Sequence, residues 1–228
     1  MDVIAWFRSV GFVAWPLLVA SIIAVALMLE RSLFWWKITQ RQERIVRECL
    51  MLYSRSPRAA LFKLEQNADL PIARIFLAGL ELEQANPEDF RLALETATAS
   101  EIPLLKRYGT AFDTIVTLSP FLGLLGTVTG LITTLQAART IGQGIDTELA
   151  LSGISEALNS TAAGLVIAIG TFLVANIFRS LYIRQLSKIQ EYGGQLELLH
   201  RHFLDHGFPT SQYSTPPETP YANPGREF

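Results

Sequence analysis

Three long stretches without a charged residue dominate the hydrophobic pattern of the chain. The first runs from Ser9 to Leu29, the second from Thr114 to Ala138 and the third from Ala157 to Phe178. A helix of about 20 apolar residues crosses the roughly 30 Å hydrocarbon core of a bilayer. The sequence therefore predicts an all-α integral membrane protein with three transmembrane helices and long cytoplasmic helical extensions.

The polar stretches complete the predicted organisation. Ser56-Pro57 and Asn86-Pro87 are typical helix starts, and apolar residues recur with helical spacing from Pro87 to Asp113. The predicted order is an external N-terminus (1–8), transmembrane helix 1 (9–36), a cytoplasmic helical segment (37–113), transmembrane helix 2 (114–138), a short external loop (139–152), transmembrane helix 3 (153–181), a cytoplasmic helix (182–204) and a disordered tail (205–228). We also expect the first helix to continue past Trp36 into water, and the third to continue past Arg179.

The distribution of basic residues predicts the orientation. Of the 19 Lys and Arg residues, only Arg8 and Arg139 fall on the side of the N-terminus and the short loop. Because basic residues concentrate in cytoplasmic segments, the large segment and the tail are predicted to lie in the cytoplasm. The N-terminus is then outside, in a multi-pass protein of the plasma (inner) membrane.

Composition excludes several classes of function. A net charge of −2 argues against nucleic-acid binding. The single cysteine, Cys49, excludes an intramolecular disulfide and a Cys-rich metal site, and is expected to be a semi-buried structural thiol. His200, His202 and His206 have no matching acid or cysteine constellation. We therefore expect no catalytic residues, no metal, no cofactor and no enzymatic activity.

Small residues follow one face of the second predicted helix at alternating spacings of three and four. They are Pro120, Gly123, Thr127, Gly130 and Thr134. Gly126 and Gly130 add a G-x-x-x-G pair, which is typical of closely packed membrane helices. The pattern indicates a tight helix–helix contact. Thr127 and Thr134 could equally well donate their hydroxyls to the backbone of the preceding turn.

An acidic residue, Glu156, stands at the start of the third charge-free run. A carboxylate within a bilayer costs about 2.5–3.5 kcal/mol on insertion scales, and such residues usually mark an ion or proton path. On an ideal helix Asn159 and Ser160 lie on the same side as Glu156, and together they are predicted to line one wet surface. Thr161 lies about 140° around the helix and would need a twist or a neighbouring subunit to join them. The alternative is that Glu156 lies at the outer interface and is simply hydrated.

Two segments of the later helices resemble the MotA/TolQ/ExbB proton-channel family. They are Ser119-Pro120-Phe121-Leu122-Gly123-Leu124-Leu125-Gly126-Thr127-Val128-Thr129-Gly130 and Gly153-Ile154-Ser155-Glu156-Ala157-Leu158-Asn159-Ser160-Thr161-Ala162-Ala163-Gly164-Leu165. The order of elements matches as well: one helix, a large cytoplasmic insert, then two helices joined by a short external link. Three crossings resemble the ExbB and TolQ branch more than the flagellar stator subunit MotA.

The resemblance implies a homo-oligomer, a pentamer in the better-known members, whose second and third helices surround a pore. It also implies a single-span partner similar to ExbD or TolR, and an energy transducer similar to TonB or TolA driven by the proton-motive force. Glu156 would match the pore carboxylate, and Thr127 and Thr161 the pore-lining threonines. The predicted proton-path residues are Glu156, Thr127, Thr161, Ser160 and Asn159, and the predicted packing and pore-lining residues are Pro120, Gly123, Gly126, Gly130, Thr134 and Gly164.

Other functions remain open at this point. A MotA-like stator subunit would show a fourth crossing, and no fourth apolar run of adequate length is present. A non-conducting membrane scaffold would anchor an assembly through its cytoplasmic helices. An intramembrane enzyme is disfavoured, because no nucleophile is paired with a base within the crossings.

Overall fold

The computed structural model describes residues 11–82, 85–140 and 147–207, and each regular element in these ranges is helical. Within the last two helices, the side chains of residues 137–140, 147–152 and 156 lie outside this description. After a 3-10 turn at Gly11–Val13, the described α-helices are α1 (Ala14–Tyr53), α2 (Pro57–Glu65), α3 (Pro71–Leu80), α4 (Pro87–Leu105), α5 (Gly109–Thr140) and α6 (Thr147–His206).

Three helical stretches are long and apolar enough to cross a membrane. They are Ala14–Tyr53, Pro87–Gln136 and Gly153–His206, among the described residues. The predicted all-α membrane architecture with three spans is therefore confirmed. The exact residues at which each span enters and leaves the bilayer remain predictions.

The predicted helix starts at Pro57 and Pro87 are confirmed. At the first, the Ser56 hydroxyl accepts a hydrogen bond from the Ala59 N–H at 3.4 Å. At the second, Asn86 Oδ1 accepts from the Asp89 N–H at 2.7 Å. In both cases a proline at the start of the helix has no N–H to leave unpaired. The start of α3 at Pro71 escaped prediction, because Leu70 before it supplies no side-chain cap.

The first and third predicted helices are longer than a membrane span. Helix α1 runs without interruption to Tyr53, and α6 runs from Thr147 to His206, so the expected continuations are confirmed. Helical backbone also covers residues 139–140 and 147–152 of the predicted link, and residues 205–206 of the predicted tail. The predictions for residues 1–8, 141–146 and 208–228 lie outside the described residues.

The helical pattern predicted from Pro87 to Asp113 is interrupted. Helix α4 ends at Leu105 and α5 begins at Gly109, and Tyr108 between them has a φ of 65°. This left-handed conformation costs a non-glycine residue roughly 1–2 kcal/mol. The Arg31 guanidinium binds the end of α4, where it donates to the Leu105 carbonyl at 2.6 Å and to the Leu104 carbonyl at 3.4 Å.

The chain divides into two compact units, which we call the membrane unit (Met1–Gln40 and Glu101–Lys188) and the polar unit (Arg41–Ser100 and Ile189–Phe228). In the membrane unit, the start of α1 packs on α5 and α6. The contact comprises Val13, Ala14, Leu17 and Ala163, with Leu122 and Ile167 at its edge. In the polar unit, α2 packs on α3, whose side chains Ile72, Ile75 and Phe76 are fully buried.

Candidate functional site: the seam between α5 and α6

Two hydroxyls of α6 converge on one backbone carbonyl of α5. Ser160 Oγ and Thr161 Oγ1 each lie 3.0 Å from the Gly123 carbonyl oxygen and donate to it. Ser160 Oγ also lies 2.8 Å from the Ala157 carbonyl oxygen in its own helix. The two membrane helices are therefore joined by side-chain hydrogen bonds as well as by packing, as is common between helices in lipid.

Glycine at position 123 makes this approach possible. A Cβ atom there would lie 2.9 Å from both the Ser160 carbonyl oxygen and the Thr161 Cα. Gly164 plays the reciprocal part in α6, because a Cβ there would lie 3.1 Å from the Gly123 Cα and would overlap the Ser119 carbonyl oxygen. Backbone atoms on both sides of the contact leave no room for a methyl group.

Further small residues extend the close contact, and we call the whole region the α5–α6 seam (residues 119–134 with 153–164). A Cβ at Gly126 would overlap the Ser160 side chain, and a Cβ at Gly130 would lie 3.1 Å from the Ala157 Cβ. At the far end, Gly153 of α6 faces the Thr134 side chain. The G-x-x-x-G pair thus lies in the contact between α5 and α6.

The threonines of α5 bond within their own helix. Thr127 Oγ1 donates to the Leu124 carbonyl at 2.7 Å, and Thr134 Oγ1 donates to the Gly130 carbonyl at 2.8 Å. This is the local arrangement that their sequence spacing left open. Thr127 is half-buried, and the hydrogen bond of its hydroxyl to Leu124 is exposed. The other predicted residues on the edge, Pro120 and Asn159, are also half-buried.

The wet surface predicted for Glu156, Asn159 and Ser160 does not include Ser160 in this structure. Ser160 is 1% exposed, and its hydroxyl is held between α5 and α6. Thr161 meets Ser160 on the Gly123 carbonyl within a single chain, whereas we had expected that a twist or a neighbouring subunit would be needed to bring them together. Helical spacing gives the angle between two side chains of α6, but it does not give the position of α5, whose glycine backbone fits between them.

Glu156 lies in the backbone of α6, four residues before Ser160. The structure does not describe its side chain, so the depth and the neighbours of the carboxylate remain predictions. Its helix position is nevertheless fixed one turn from the hydrogen bonds on Gly123. Elsewhere in the described chain, no group of three or more His, Cys, Asp or Glu residues could hold a metal ion.

A buried histidine in the polar unit was not anticipated. His200 is 3% exposed; its Nδ1 lies 2.7 Å from the Tyr53 hydroxyl and its Nε2 lies 3.0 Å from the Ala85 carbonyl oxygen. Because a carbonyl only accepts, Nε2 carries the proton, and in the neutral ring Nδ1 accepts from Tyr53. Phe90 stacks on the imidazole with 4.1 Å between ring centroids. Sequence gave no signal for this cluster, since Tyr53 and His200 are 147 positions apart.

Cys49 is buried more completely than the semi-buried thiol that was predicted. The residue is fully buried, and burial raises the pKa of its thiol to about 12. Burial also raises the pKa of Tyr53 to about 12, with a smaller contribution from Cys49. Both groups therefore stay protonated at neutral pH and serve packing and hydrogen bonding in the polar unit.

Comparison with known proteins places these features in a family. The model of the MotA/TolQ/ExbB proton channel family matches residues 67–191, a range that includes the α5–α6 seam. Over 199 residues, covering 86% of this chain and 93% of the relative, the chain is 55% identical to the biopolymer transport protein ExbB-like 3 of Synechocystis sp.. It is 39% identical to ExbB-like 1 of the same organism, over 86% of this chain and 78% of the relative.

A more distant relative matches a shorter part of the chain. The biopolymer transport protein ExbB of Salmonella typhimurium is 38% identical over 94 residues, which cover 40% of this chain and 37% of that protein.

Proposed function

This chain belongs to the MotA/TolQ/ExbB proton channel family, and we propose that it is the channel subunit of an ExbB/TolQ-like complex that converts the proton-motive force into motion. The family consists of channel and transport proteins, which supports the expectation that the chain catalyses no reaction. The coupling ion in this proposal is the proton, with no cofactor. One observation carries the proposal: Glu156 belongs to the part of α6 that forms the seam, and the family model covers this whole region.

The energetic cost of an intramembrane carboxylate supports a role for Glu156 in proton transfer. Such a residue costs about 2.5–3.5 kcal/mol on insertion and is usually found facing a cavity or a partner. A protonated carboxyl can donate a hydrogen bond and a carboxylate can only accept. Glu156 would therefore alternate between the two forms as a proton passes.

The α5–α6 seam would hold Glu156 at a fixed height in the channel. Ser160 and Thr161 tie α6 to Gly123 of α5 within about one helical turn of Glu156. A short rigid connection of this kind limits sliding or rotation of α6 against α5. In the proposed channel Thr161 and Thr127 line the path, and Thr127 is free to exchange its intrahelical bond to Leu124 for one to water.

Exposed apolar side chains support assembly with further chains. Leu124, Val128, Leu131 and Leu135 of α5 are each 44–65% exposed in a single copy, a surface suited to lipid or to other membrane helices. We propose a homo-oligomer, a pentamer, around a single-span ExbD/TolR-like protein in the inner membrane, with the N-terminus outside. A TonB/TolA-like protein would receive the motion. One charge moved through 100 mV supplies about 2.3 kcal/mol.

The test is proton flux through proteoliposomes that contain the purified complex of this chain with its single-span partner. Glu156→Gln should reduce flux by about tenfold or more, because a neutral amide cannot take up and release a proton. Glu191→Gln is the matched control, since Glu191 is an exposed carboxylate in the same helix but in the polar unit. Flux in Glu156→Gln equal to that of the unmodified complex would refute the proposal.

The same measurement separates the alternatives. A non-conducting scaffold predicts no proton flux in the unmodified complex and intact assembly in both variants. A MotA-like stator subunit is disfavoured because three spans are found in the described chain and the relatives above are named as biopolymer transport proteins.

A further inference from the structure

A cavity opens in the membrane unit where the three apolar spans meet the polar sequence. Its volume is about 460 Å³, and α1, α5, α6 and the link after α4 contribute to its wall. It lies at the end of the spans opposite the short link between α5 and α6. With the spans in the bilayer as predicted, this end of the helices lies at the level of the lipid headgroups.

The rim of the cavity is cationic. Lys106, Arg107 and Arg179 line it, with Asp113 as the acidic residue among them. The ion pairs of two of these bases are long and exposed: Arg179 lies 4.0 Å from Asp113, and Arg107 lies 3.9 Å from Glu30 outside the rim. Arg107 also lies over the Tyr108 ring, 4.6 Å from its centroid. Ion pairs of this kind contribute at most about 1 kcal/mol and leave the cations available.

The third rim cation, Lys106, is held over an aromatic ring. Its Nζ lies 5.1 Å from the centroid of Tyr182. A fourth base, Arg31, also reaches the wall, but its guanidinium is already bound to the Leu104 and Leu105 carbonyls. Arg31 therefore adds positive potential behind the rim and is not counted as a ligand.

The floor of the cavity is apolar. Phe112, Val116, Phe172 and Phe178 line it. Phe172 is 52% exposed in a single chain, so the floor continues on to the lipid-facing surface of α6. A small soluble anion would leave this floor unfilled, whereas an acyl chain would cover it.

We infer that the cavity is a site for an anionic phospholipid, with the phosphate at Lys106 and Arg179 and the upper part of an acyl chain on Phe112 and Val116. Basic pockets between membrane helices recognise anionic headgroups in this way. The inference requires only that the three helices span a bilayer. It does not depend on proton conduction.

Native mass spectrometry of the detergent-purified protein would count lipids bound per chain during titration with phosphatidylglycerol or phosphatidylcholine. The double variant Lys106→Gln/Arg179→Gln should bind phosphatidylglycerol about 30-fold more weakly and lose the preference for it, since two bases near the headgroup at about 1 kcal/mol each correspond to that factor. Arg184→Gln/Lys188→Gln is the matched control, because it removes two charges of α6 that do not line the cavity and should bind as the unmodified protein does.

A second variant keeps all the charges and fills the floor. Val116→Trp should weaken phosphatidylglycerol binding about fivefold, because the acyl chain loses its apolar contact. Circular dichroism and elution volume identical to those of the unmodified protein would show that each variant is folded. Undiminished binding in the folded double variant would overturn the inference. Displacement of the lipid by equimolar glycerol 3-phosphate would also overturn it, in favour of a soluble-anion site.

Discussion

The membrane unit and the polar unit are held together by different kinds of contact. In the membrane unit the tightest contact is made by residues with almost no side chain, Gly123 and Gly164, and by hydroxyls that reach a backbone carbonyl. In the polar unit, large side chains such as Phe76 and Phe90 are fully buried, together with a hydrogen-bonded histidine.

The solvent explains the difference. In water, burying a large apolar side chain is favourable by about 1.5–3 kcal/mol. In lipid the surroundings are as apolar as the side chain, so helices associate through close packing and hydrogen bonds instead. Small residues therefore allow the closest helix contact in the membrane unit, whereas large buried side chains stabilise the polar unit.

The largest expected effect comes from adding bulk to the seam. Gly123→Val should destabilise the fold by about 3 kcal/mol, the upper end of the usual range for overpacking, since the new side chain meets backbone atoms that cannot rotate away. Gly170→Val is the control, because a Cβ at this exposed glycine of α6 meets nothing within 4 Å. Unfolding in increasing SDS, followed by circular dichroism, measures both. Similar midpoints for the two variants would contradict the account of the seam.

The matching test in the polar unit removes bulk. His200→Ala should destabilise this unit by about 2–3 kcal/mol, because it removes the stacking on Phe90 and leaves the buried Tyr53 hydroxyl without its acceptor. The exposed His202 supplies the control variant, His202→Ala. Amide hydrogen exchange in α3 and in residues 189–206 measures the local stability. Equal protection in both variants would show that the cluster is dispensable.

How far sequence predicted this fold depended on whether a feature was local. The charge-free runs gave the spans, and proline after a capping residue gave the starts at Pro57 and Pro87. The break before Gly109 was missed because the left-handed residue is Tyr108, and a tyrosine does not signal that conformation. The His200 cluster was missed because its partners come from distant parts of the chain.

The candidate site shows the same limit. The glycine spacing predicted which residues of α5 form a close contact. The prediction that Ser160 lies on a wet surface was wrong. Periodicity gives the order of side chains around one helix, but it cannot identify the neighbouring helix that each side chain contacts. The surroundings of Glu156 also depend on which neighbours its side chain meets, so its predicted place on a proton path stays a prediction.

High pH should weaken the polar unit through its buried acids. The pKa of Cys49 is 9.0 without burial and about 12 in the fold. The thiol has the higher pKa in the folded state, so below pH 9 its ionisation does not affect the free energy of unfolding. Between pH 9 and 12 the free energy of unfolding falls by about 1.4 kcal/mol per pH unit, because the unfolded chain releases the proton first. Tyr53 adds to the loss above pH 10.

Guanidinium unfolding at pH 8, 9 and 10 measures this loss. Cys49→Ala should be less stable at every pH, but its midpoint should fall less between pH 9 and 10 than that of the unmodified protein. An unchanged slope in Cys49→Ala would mean that another group titrates in this range. The seam contains no comparable group among its described side chains, so Gly123→Val should not alter the slope.

The smallest expected effect concerns the hydroxyls on Gly123. Interhelical hydrogen bonds in membranes average about 0.6 kcal/mol, so Ser160→Ala and Thr161→Val should each lower the SDS midpoint only slightly. Both hydroxyls donate to the same carbonyl, so it keeps one hydrogen bond when either hydroxyl is removed and loses both only in the double variant. The double variant should therefore lose more than the sum of the two single losses. Strict additivity would mean that the hydroxyls act independently, and that the glycine packing alone joins α5 to α6.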